Sequence, residues 1–368
     1  MERATARIDH DAVRANCARL KSELGEAELC AVVKADGYGH GADACASAAL
    51  AGGATRLAVA TAGEAEQIGR RFQHVPLLTM GALTAEEVDD VISAGSEVVL
   101  WREDSRSLVA ARARAHGHRA RVHLKYDSGM GRLGNRDAAE VLELARACAE
   151  DPNLELTGLW THFATADELD SPYFDEQLDR FEEVAAAVKA EHPGVLVHAA
   201  NSAAVLRDRR SHFDMARCGV AIYGLDPFQR DPAQHGLRPA LTLRSHVADV
   251  KRFPAGASAG YGRRWVAPVD TWVGVVPLGY GDGVRRALTN NADVLVRGER
   301  RPLVGTVSMD NVTIDLGPET EVRPGDEAVL IGRQGEEEIL AEEIARRLET
   351  INYEVTCAIS PRVPRRPA

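Results

Sequence analysis

The strongest constraint on the fold is an alternation of short apolar runs with longer amphipathic stretches, which begins at Leu29 and continues to Cys218. There are eight such runs, at residues 29–34, 56–60, 75–80, 97–101, 121–126, 154–163, 195–200 and 214–218. Short apolar runs bounded by turn residues are typical of buried strands. The alternation predicts an α/β fold with an N-terminal (β/α)8 TIM-like barrel. A doubly wound open sheet stays possible, because a strand number does not prove closure.

The amphipathic stretches predict helices, and the alternation of strands and helices ends after residue 226. A helix capped by Asp9 is expected to reach Leu24, with further helices at 42–50, 84–94, 105–115, 137–149 and 172–189. A turn-rich link at 231–239 is followed by predicted strands at 241–250, 272–277, 294–296, 303–314 and 328–331, and a helix at 340–348. We therefore predict two domains, a barrel over 1–230 and a mostly β domain over 240–368.

Composition excludes several classes of protein. The net charge of −11 is spread over interspersed acids and bases, which argues against a nucleic-acid surface. The six cysteines are scattered, and we interpret them as reduced core residues of a cytoplasmic protein. No export signal or membrane-spanning run is recognisable. The sequence predicts an ordinary cytoplasmic enzyme.

Polar side chains stand where the predicted strands end. In a parallel barrel these ends meet at one rim, where catalytic residues lie. The first run delivers Lys34 into the glycine-rich segment Ala35-Asp36-Gly37-Tyr38-Gly39-His40-Gly41. A partly buried amine is a candidate for Schiff-base chemistry with a carbonyl cofactor, although most strand-end lysines extend into water. The other strand-end candidates are Lys125, Asp127, His162, Asn201, Ser202, Arg217 and Gly219.

Several segments together resemble the alanine racemases, a family of pyridoxal-phosphate enzymes. The resemblance runs from the first strand to Arg365, and it is carried by segments 33–41, 122–134, 160–164, 217–224, 260–262, 277–283, 307–310 and 351–355. It implies interconversion of L-alanine and D-alanine with pyridoxal 5'-phosphate, supplying D-alanine for peptidoglycan. Lys34 would carry the cofactor and act as the base on one face of the substrate carbon, and Tyr261 would act on the other face.

The resemblance also implies roles for residues around the cofactor. Arg217 would face the pyridine nitrogen and, as a permanent donor, would leave that nitrogen unprotonated. His162 would link Arg217 to Tyr261. Ser202 would serve as both a helix cap and a phosphate donor. The full set of implied cofactor-binding residues is Lys34, Tyr38, His162, Asn201, Ser202, Arg217, Gly219, Val220 and Tyr353.

A third implied group binds the substrate. Arg132 would bind the substrate carboxylate together with the Met309 amide, and Tyr280 would narrow the entrance with Tyr353. Lys125 matches a lysine that is carbamylated in several relatives and would then orient Arg132. Asp310 lies beside Met309 as a supporting residue. Tyr261 would come from the partner subunit, so the resemblance implies a homodimer with shared sites and no metal.

Three alternative hypotheses for the function remain open. A barrel-type pyridoxal-phosphate decarboxylase should carry a glycine-run phosphate loop and a cysteine-containing site motif in the β domain, and neither is found. A single-domain protein that only carries the cofactor would lack the domain that holds Tyr261, Met309 and Tyr353. A broad-specificity racemase that includes serine is harder to separate, although such relatives are usually exported.

Overall fold

The computed structural model describes residues 2–368 and divides the chain into two compact units. We call the first the barrel unit, formed by Val13–Gly37 and Ala42–Ile222. We call the second the β unit, formed by the residues up to Ala12, Tyr38–Gly41 and Tyr223–Ala368.

Eight parallel strands close the barrel unit, which confirms the predicted barrel over the open sheet. Each strand pairs in parallel with the next, and the last pairs with the first. After a first strand of the β unit, β1 (Thr5–Ile8), the barrel strands are β2 (Glu28–Val32), β3 (Arg56–Val59), β4 (Leu77–Thr79), β5 (Glu97–Leu100), β6 (Ala120–Lys125), β7 (Leu154–Trp160), β8 (Leu196–His198) and β9 (Met215–Cys218).

Helices connect the strands, and local sequence explains where several of them begin. The first, α1 (His10–Leu24), is capped by Asp9 as predicted, since its carboxylate accepts from the amide of Ala12. The helix at 62–71 was not predicted; it begins with a capping box in which Thr61 and Glu64 each accept a backbone N–H. The remaining helices are α2 (Ala42–Ala51), α3 (Ala62–Arg71), α4 (Ala85–Ser93), α5 (Glu103–His116), α6 (Ala138–Glu150), α7 (Tyr173–Glu191) and α8 (Ser202–Arg207).

The β unit is built on a ten-stranded sheet in the order β11-β14-β17-β16-β15-β18-β10-β1-β20, with β19 paired to β18. The pairs are antiparallel except β1 with β20. Its elements are β10 (Leu241–His246), β11 (Asp249–Phe253), β12 (Ser258–Ala259), β13 (Trp265–Val266), β14 (Thr271–Val276), β15 (Asp293–Val296), β16 (Glu299–Val304), β17 (Val312–Gly317), β18 (Glu327–Gln334), β19 (Glu337–Ile339), β20 (Arg365–Pro367), α9 (Ala341–Arg347) and α10 (Asn352–Cys357).

Three sequence predictions are wrong in detail. The stretch 303–314 is two strands, because the chain leaves β16 after Val304 and enters β17 only at Val312. The stretch 241–250 likewise breaks into β10 and β11. Five cysteines are buried as expected, but Cys357 is exposed. Within residues 2–368, no helix combines the length and the hydropathy needed to cross a bilayer.

Candidate active site

Lys34 begins a turn of unusual backbone conformation just beyond the carboxyl end of β2. Ala35, Asp36 and Tyr38 all have φ between 51° and 53°, a left-handed region that non-glycine residues rarely occupy. Glu64 stabilises the turn, since its Oε1 accepts from the Ala35 amide at 2.7 Å while Oε2 accepts from the Ala60 amide at 2.8 Å. The strained turn thus places the partly buried Lys34 at the rim where the strands end.

A group of cations lies at this rim, around the ring of Trp160. The Lys125 side chain is 2% exposed, and its Nζ lies 4.1 Å from the Trp160 ring centroid. The Arg217 Cζ lies 4.6 Å from the same centroid. Burial, together with the positive charges of Arg217, Arg132 and Lys34, lowers the pKa of Lys125 to about 7. Lys125 is therefore divided between its charged and neutral forms near neutral pH.

Arg217 is held in β9 by acceptors on three sides. Its guanidinium donates to His198 Nδ1 at 2.7 Å, to the Thr161 carbonyl at 2.8 Å and to the Ala199 carbonyl at 3.0 Å. A fourth contact, 3.4 Å, joins it to His162 Nδ1. Burial lowers the pKa of Arg217 to about 10, which leaves it charged at neutral pH. Burial and Arg217 also hold the pKa of His162 well below its usual range, so that imidazole is neutral.

The segment after β8 does not have the cap that the sequence predicted. Asn201, not Ser202, caps α8, because the helix begins at Ser202 and the Asn201 side chain accepts from the Ala204 amide at 3.0 Å. The Ser202 hydroxyl instead accepts from the Gly219 amide at 3.1 Å and from the Ala221 amide at 3.4 Å. Ser202 therefore joins the start of α8 to the turn after β9, where Gly219 and Val220 lie.

In the β unit, two of the predicted tyrosines lie close together. The Tyr38 ring lies 6.0 Å from the Tyr353 ring and 5.2 Å from the Tyr223 ring, measured between centroids. The glycine beside Tyr38 has a structural role that the sequence analysis did not find. A Cβ on Gly39 would lie 2.3 Å from the carbonyl oxygen of Thr356, so this glycine allows the backbone to approach α10.

The other predicted residues of the β unit are exposed. Tyr261 is 74% exposed, Met309 50% and Tyr280 45%, and a surface cleft of about 350 Å³ opens beside Tyr261. Tyr280 and Met309 are joined through their loops, since the Tyr280 amide donates to the Ser308 carbonyl at 2.9 Å. Asp310 accepts from Arg362 at 2.6 Å. Large apolar and aromatic side chains this exposed are typical of a binding surface.

The residues at the barrel rim fit pyridoxal phosphate. Burial and the nearby charges of Arg217, Arg132 and Lys34 lower the pKa of Lys125, and an anionic ligand would offset the repulsion among these four cations. The primary amine of Lys34 suits a carbonyl compound, and the donors of Arg217 suit an acceptor such as a ring nitrogen. The donor set therefore matches an aldehyde that carries a phosphate and a basic ring.

Sequence reasoning missed three buried polar residues of the barrel interior. Glu97, His123 and His198 lie within predicted strands and are at most 2% exposed. The available signal was the presence of polar residues inside otherwise apolar runs, which favours functional or paired side chains.

Comparison with known proteins covers both units. Residues 8–227 match the family model of the alanine racemase N-terminal domain, and residues 240–367 match that of the C-terminal domain. The chain is 42% identical over 362 residues to an alanine racemase of Symbiobacterium thermophilum, covering 98% of this chain and 96% of the relative. It is also 42% identical to alanine racemase 1 of Bacillus subtilis over 363 residues, covering 98% and 92%.

Solved structures agree with these relatives. The crystal structure of alanine racemase from a D-cycloserine-producing Streptomyces lavendulae superposes with a TM-score of 0.95 at 39% identity, covering 100% of this chain and 97% of that one. Alanine racemase from Streptomyces coelicolor A3(2) gives a TM-score of 0.93 at 40% identity, covering 98% and 97%. With both family models matched along nearly the whole chain, this protein belongs to the alanine racemase family.

Proposed function

We propose that this chain is a pyridoxal-phosphate-dependent racemase that interconverts L-alanine and D-alanine. The observation that carries the proposal is identity of about 40% to alanine racemases across both units, not across the barrel alone. The cation group at the barrel rim supports it, because it suits an anionic cofactor and the carboxylate of an amino acid. Bound pyridoxal phosphate supplies the electron sink that makes the α-proton of the substrate acidic.

The protein must then supply two opposed proton-transfer groups. We assign Lys34 Nζ to one face of the α-carbon and Tyr261 Oη to the other, since a proton removed from one face must return to the opposite one. Arg217 holds the pyridine nitrogen as a pure donor, and the neutral His162 lies beside it. Ser202, Gly219 and Val220, which lie together at the start of α8 and the turn after β9, would hold the phosphate.

Tyr261 acts, we propose, in the site of a second copy of this chain. Its 74% exposure, together with the exposed Met309 and Tyr280, supports a surface that association would cover. In such a homodimer the β unit of one copy completes the barrel site of the other. The Met309 amide and Arg132 then bind the substrate carboxylate, and Tyr280 with Tyr353 restricts the entrance to small side chains.

Lys125 is proposed to be carbamylated. Its pKa of about 7 leaves a substantial neutral fraction, and only the neutral amine can attack carbon dioxide. The neutral amine forms an N–C bond as one C=O π bond of carbon dioxide breaks, and it loses one proton to water. The product is a carbamate anion that orients Arg132. Intact mass measured in bicarbonate buffer should show the added carbon dioxide; a protein that stays unmodified while Arg132 is ordered would contradict this assignment.

The cellular role is also part of the proposal. Five cysteines are buried and none of them forms a disulfide within residues 2–368, which supports a reducing compartment, so we place the enzyme in the cytoplasm. There its product would supply D-alanine for peptidoglycan.

The direct test is to incubate the cofactor-loaded protein with L-alanine in deuterated water and to follow D-alanine and α-deuterium together. Both should appear, and Lys34→Ala should abolish both. Tyr261→Phe should lower kcat/KM equally in the two directions, because the equilibrium constant between the enantiomers is one. Exchange of the α-proton for deuterium without racemisation should persist with only one enantiomer, because only one face loses its proton-transfer group. Release of carbon dioxide would indicate a decarboxylase, and a bound cofactor without exchange would leave only a carrier.

A further inference from the structure

A chain of short hydrogen bonds crosses the barrel interior and ends at Arg217. Glu97 Oε2 lies 2.7 Å from His123 Nε2, and His123 Nδ1 lies 2.8 Å from His198 Nε2. His198 Nδ1 lies 2.7 Å from an Arg217 nitrogen. We call Glu97, His123 and His198 the relay. Glu97 begins β5 and His198 ends β8, so the relay runs from one end of the barrel towards the other.

The chemistry of the two ends determines where every proton of the relay lies. A guanidinium has only donors, so His198 Nδ1 must accept, and the proton of His198 must be on Nε2. That proton is donated to His123 Nδ1, which places the His123 proton on Nε2, where it is donated to Glu97. Burial, followed by the charge of Arg217, holds the pKa of His198 well below its usual range, in agreement with a neutral ring.

The barrel is shaped around these side chains. All three are at most 2% exposed. Gly158 in β7 makes room for His123, because a Cβ there would lie 2.1 Å from His123 Nδ1. Trp160 stacks on His198 with a centroid distance of 5.7 Å and an interplanar angle of 5°. Neither imidazole can turn over without a clash or an unpaired polar atom.

The relay also connects Arg217 to a negative charge through hydrogen bonds. The Arg217 partners in the part of the chain that the structure describes are carbonyl oxygens and imidazoles, and none is a carboxylate. Burial opposes ionisation of Glu97, but its hydrogen bond from His123 and the charges of Arg56 and Arg121 outweigh that effect and lower its pKa. Glu97 is thus an anion that accepts at the far end of the relay.

We propose that Glu97 and His123 are positioning residues for Arg217: they restrict His198 to one tautomer, so that its Nδ1 always accepts from the guanidinium and fixes its orientation towards the cofactor ring. The inference rests on the proposed function, since it assigns Arg217 to the pyridine nitrogen. It adds His123 within β6 and Glu97 at the start of β5, which are reached from the ring through Arg217 and His198.

The first test needs no substitution. The ring nitrogens of the cofactor-loaded enzyme, labelled with ¹⁵N-histidine, report the tautomer of each histidine by NMR. His123 and His198 should each carry a proton on Nε2 and none on Nδ1. A wild-type His198 that carries its proton on Nδ1, or that exchanges between tautomers, overturns the proposal whatever the variants do.

Substitutions then separate positioning from packing. Glu97→Leu removes the acceptor and frees both tautomers, whereas Glu97→Gln keeps a carbonyl acceptor and should preserve them. Thr79→Val is a matched control, because Thr79 is fully buried in β4 and its hydroxyl, 2.8 Å from Ser96 Oγ, lies outside the relay. Each variant is measured for its ¹⁵N pattern, for the visible absorption of bound pyridoxal phosphate, and for kcat and KM with alanine.

For Glu97→Leu we expect a mixed His198 tautomer, an altered cofactor absorption band and a kcat about ten- to a hundredfold lower, with KM changed less than about threefold. Glu97→Gln should stay within about threefold of wild-type kcat, and Thr79→Val should match wild type. Equal losses in Glu97→Leu and Thr79→Val, or a folded Glu97→Leu with wild-type tautomers and kcat, would overturn the proposal. If the wild type does not racemise alanine, the proposed function fails, while the tautomers and the absorption band still test the relay.

Discussion

The two units bury polar groups in different ways. In the barrel unit, each member of the relay pairs with the next, and the series ends on a charged Arg217. In the β unit, Glu342 is 1% exposed and its Oε1 accepts from the Asp226 amide at 2.9 Å and from Asn352 at 2.8 Å. Its Oε2, however, has no hydrogen-bond partner within residues 2–368.

The difference shows two ways in which a protein accommodates a buried ionisable group. A continuous series of donors and acceptors lets the barrel keep a cation in its interior. The β unit lacks such a series at Glu342, and burial raises the pKa of that carboxyl. The barrel arrangement can orient a ligand, whereas the β-unit arrangement disfavours the charged form and makes stability depend on pH.

The largest expected effect is loss of the cation itself. Arg217→Leu would leave His198 Nδ1 and the carbonyls of Thr161 and Ala199 buried without their donor. We expect the free energy of unfolding to fall by about 3–5 kcal/mol. Urea unfolding of the cofactor-free protein measures this. A loss below about 1 kcal/mol would mean that the barrel interior does not depend on the series of paired groups.

The next effect depends on pH. The folded protein holds the Lys125 proton only up to about pH 7, whereas the unfolded chain holds it up to the usual 10.5. The unfolded state therefore binds more protons between these values, so stability rises with pH across this window and the full penalty is present below it. Lys125→Met should raise the free energy of unfolding by about 2–4 kcal/mol at pH 7 and below, and this increase should become smaller as the pH approaches 10.5.

This comparison belongs in bicarbonate-free buffer, because a carbamylated Lys125 no longer carries the positive charge. Added bicarbonate should reduce the gain from Lys125→Met at pH 7. If the increase in the free energy of unfolding does not change with pH, the effect of Lys125→Met comes from packing and not from charge.

The smallest effect, in the β unit, has the opposite pH dependence. Because the Glu342 pKa is raised from its usual 4.5, the folded state holds a proton that the unfolded chain loses above that pH. Stability therefore falls as pH rises from 4.5 through the folded pKa. Glu342→Gln keeps an oxygen that accepts from Asp226 and Asn352. The free energy of unfolding should therefore be unchanged in acid and should rise by about 1 kcal/mol at higher pH. Thermal unfolding between pH 4 and 8 would show whether the gain grows with pH.

The barrel could be predicted from sequence because its strands are largely buried and mostly correspond to short apolar runs bounded by turn residues. The same reasoning failed at residues 303–314, where the apolar Val307 and Met309 belong to a loop instead of a strand. Val307 is buried and Met309 is half exposed, so hydropathy alone did not distinguish packing in a loop from packing in a sheet.

The rim residues could be predicted because the barrel rule places strand ends together, and the resemblance assigned their roles. The relay could not be predicted from sequence, because it requires inward-pointing side chains of β5, β6 and β8 to lie within hydrogen-bond distance of one another along the barrel axis. Strand register sets those positions, and β6 and β7 shift register between Val122 and His123. The exposure of Tyr261 likewise depends on tertiary structure and not on its flanking glycines.

The central claim is that the barrel unit of one copy and the β unit of another form one alanine-racemising site. Lys34→Ala and Tyr261→Ala, co-expressed with different affinity tags, give a hybrid dimer that two-step purification isolates. Each variant alone should be inactive, while the hybrid should recover about half of the wild-type activity, since one of its two sites keeps both residues. A pure hybrid that is as inactive as its parents, beside an active wild type, would contradict the claim.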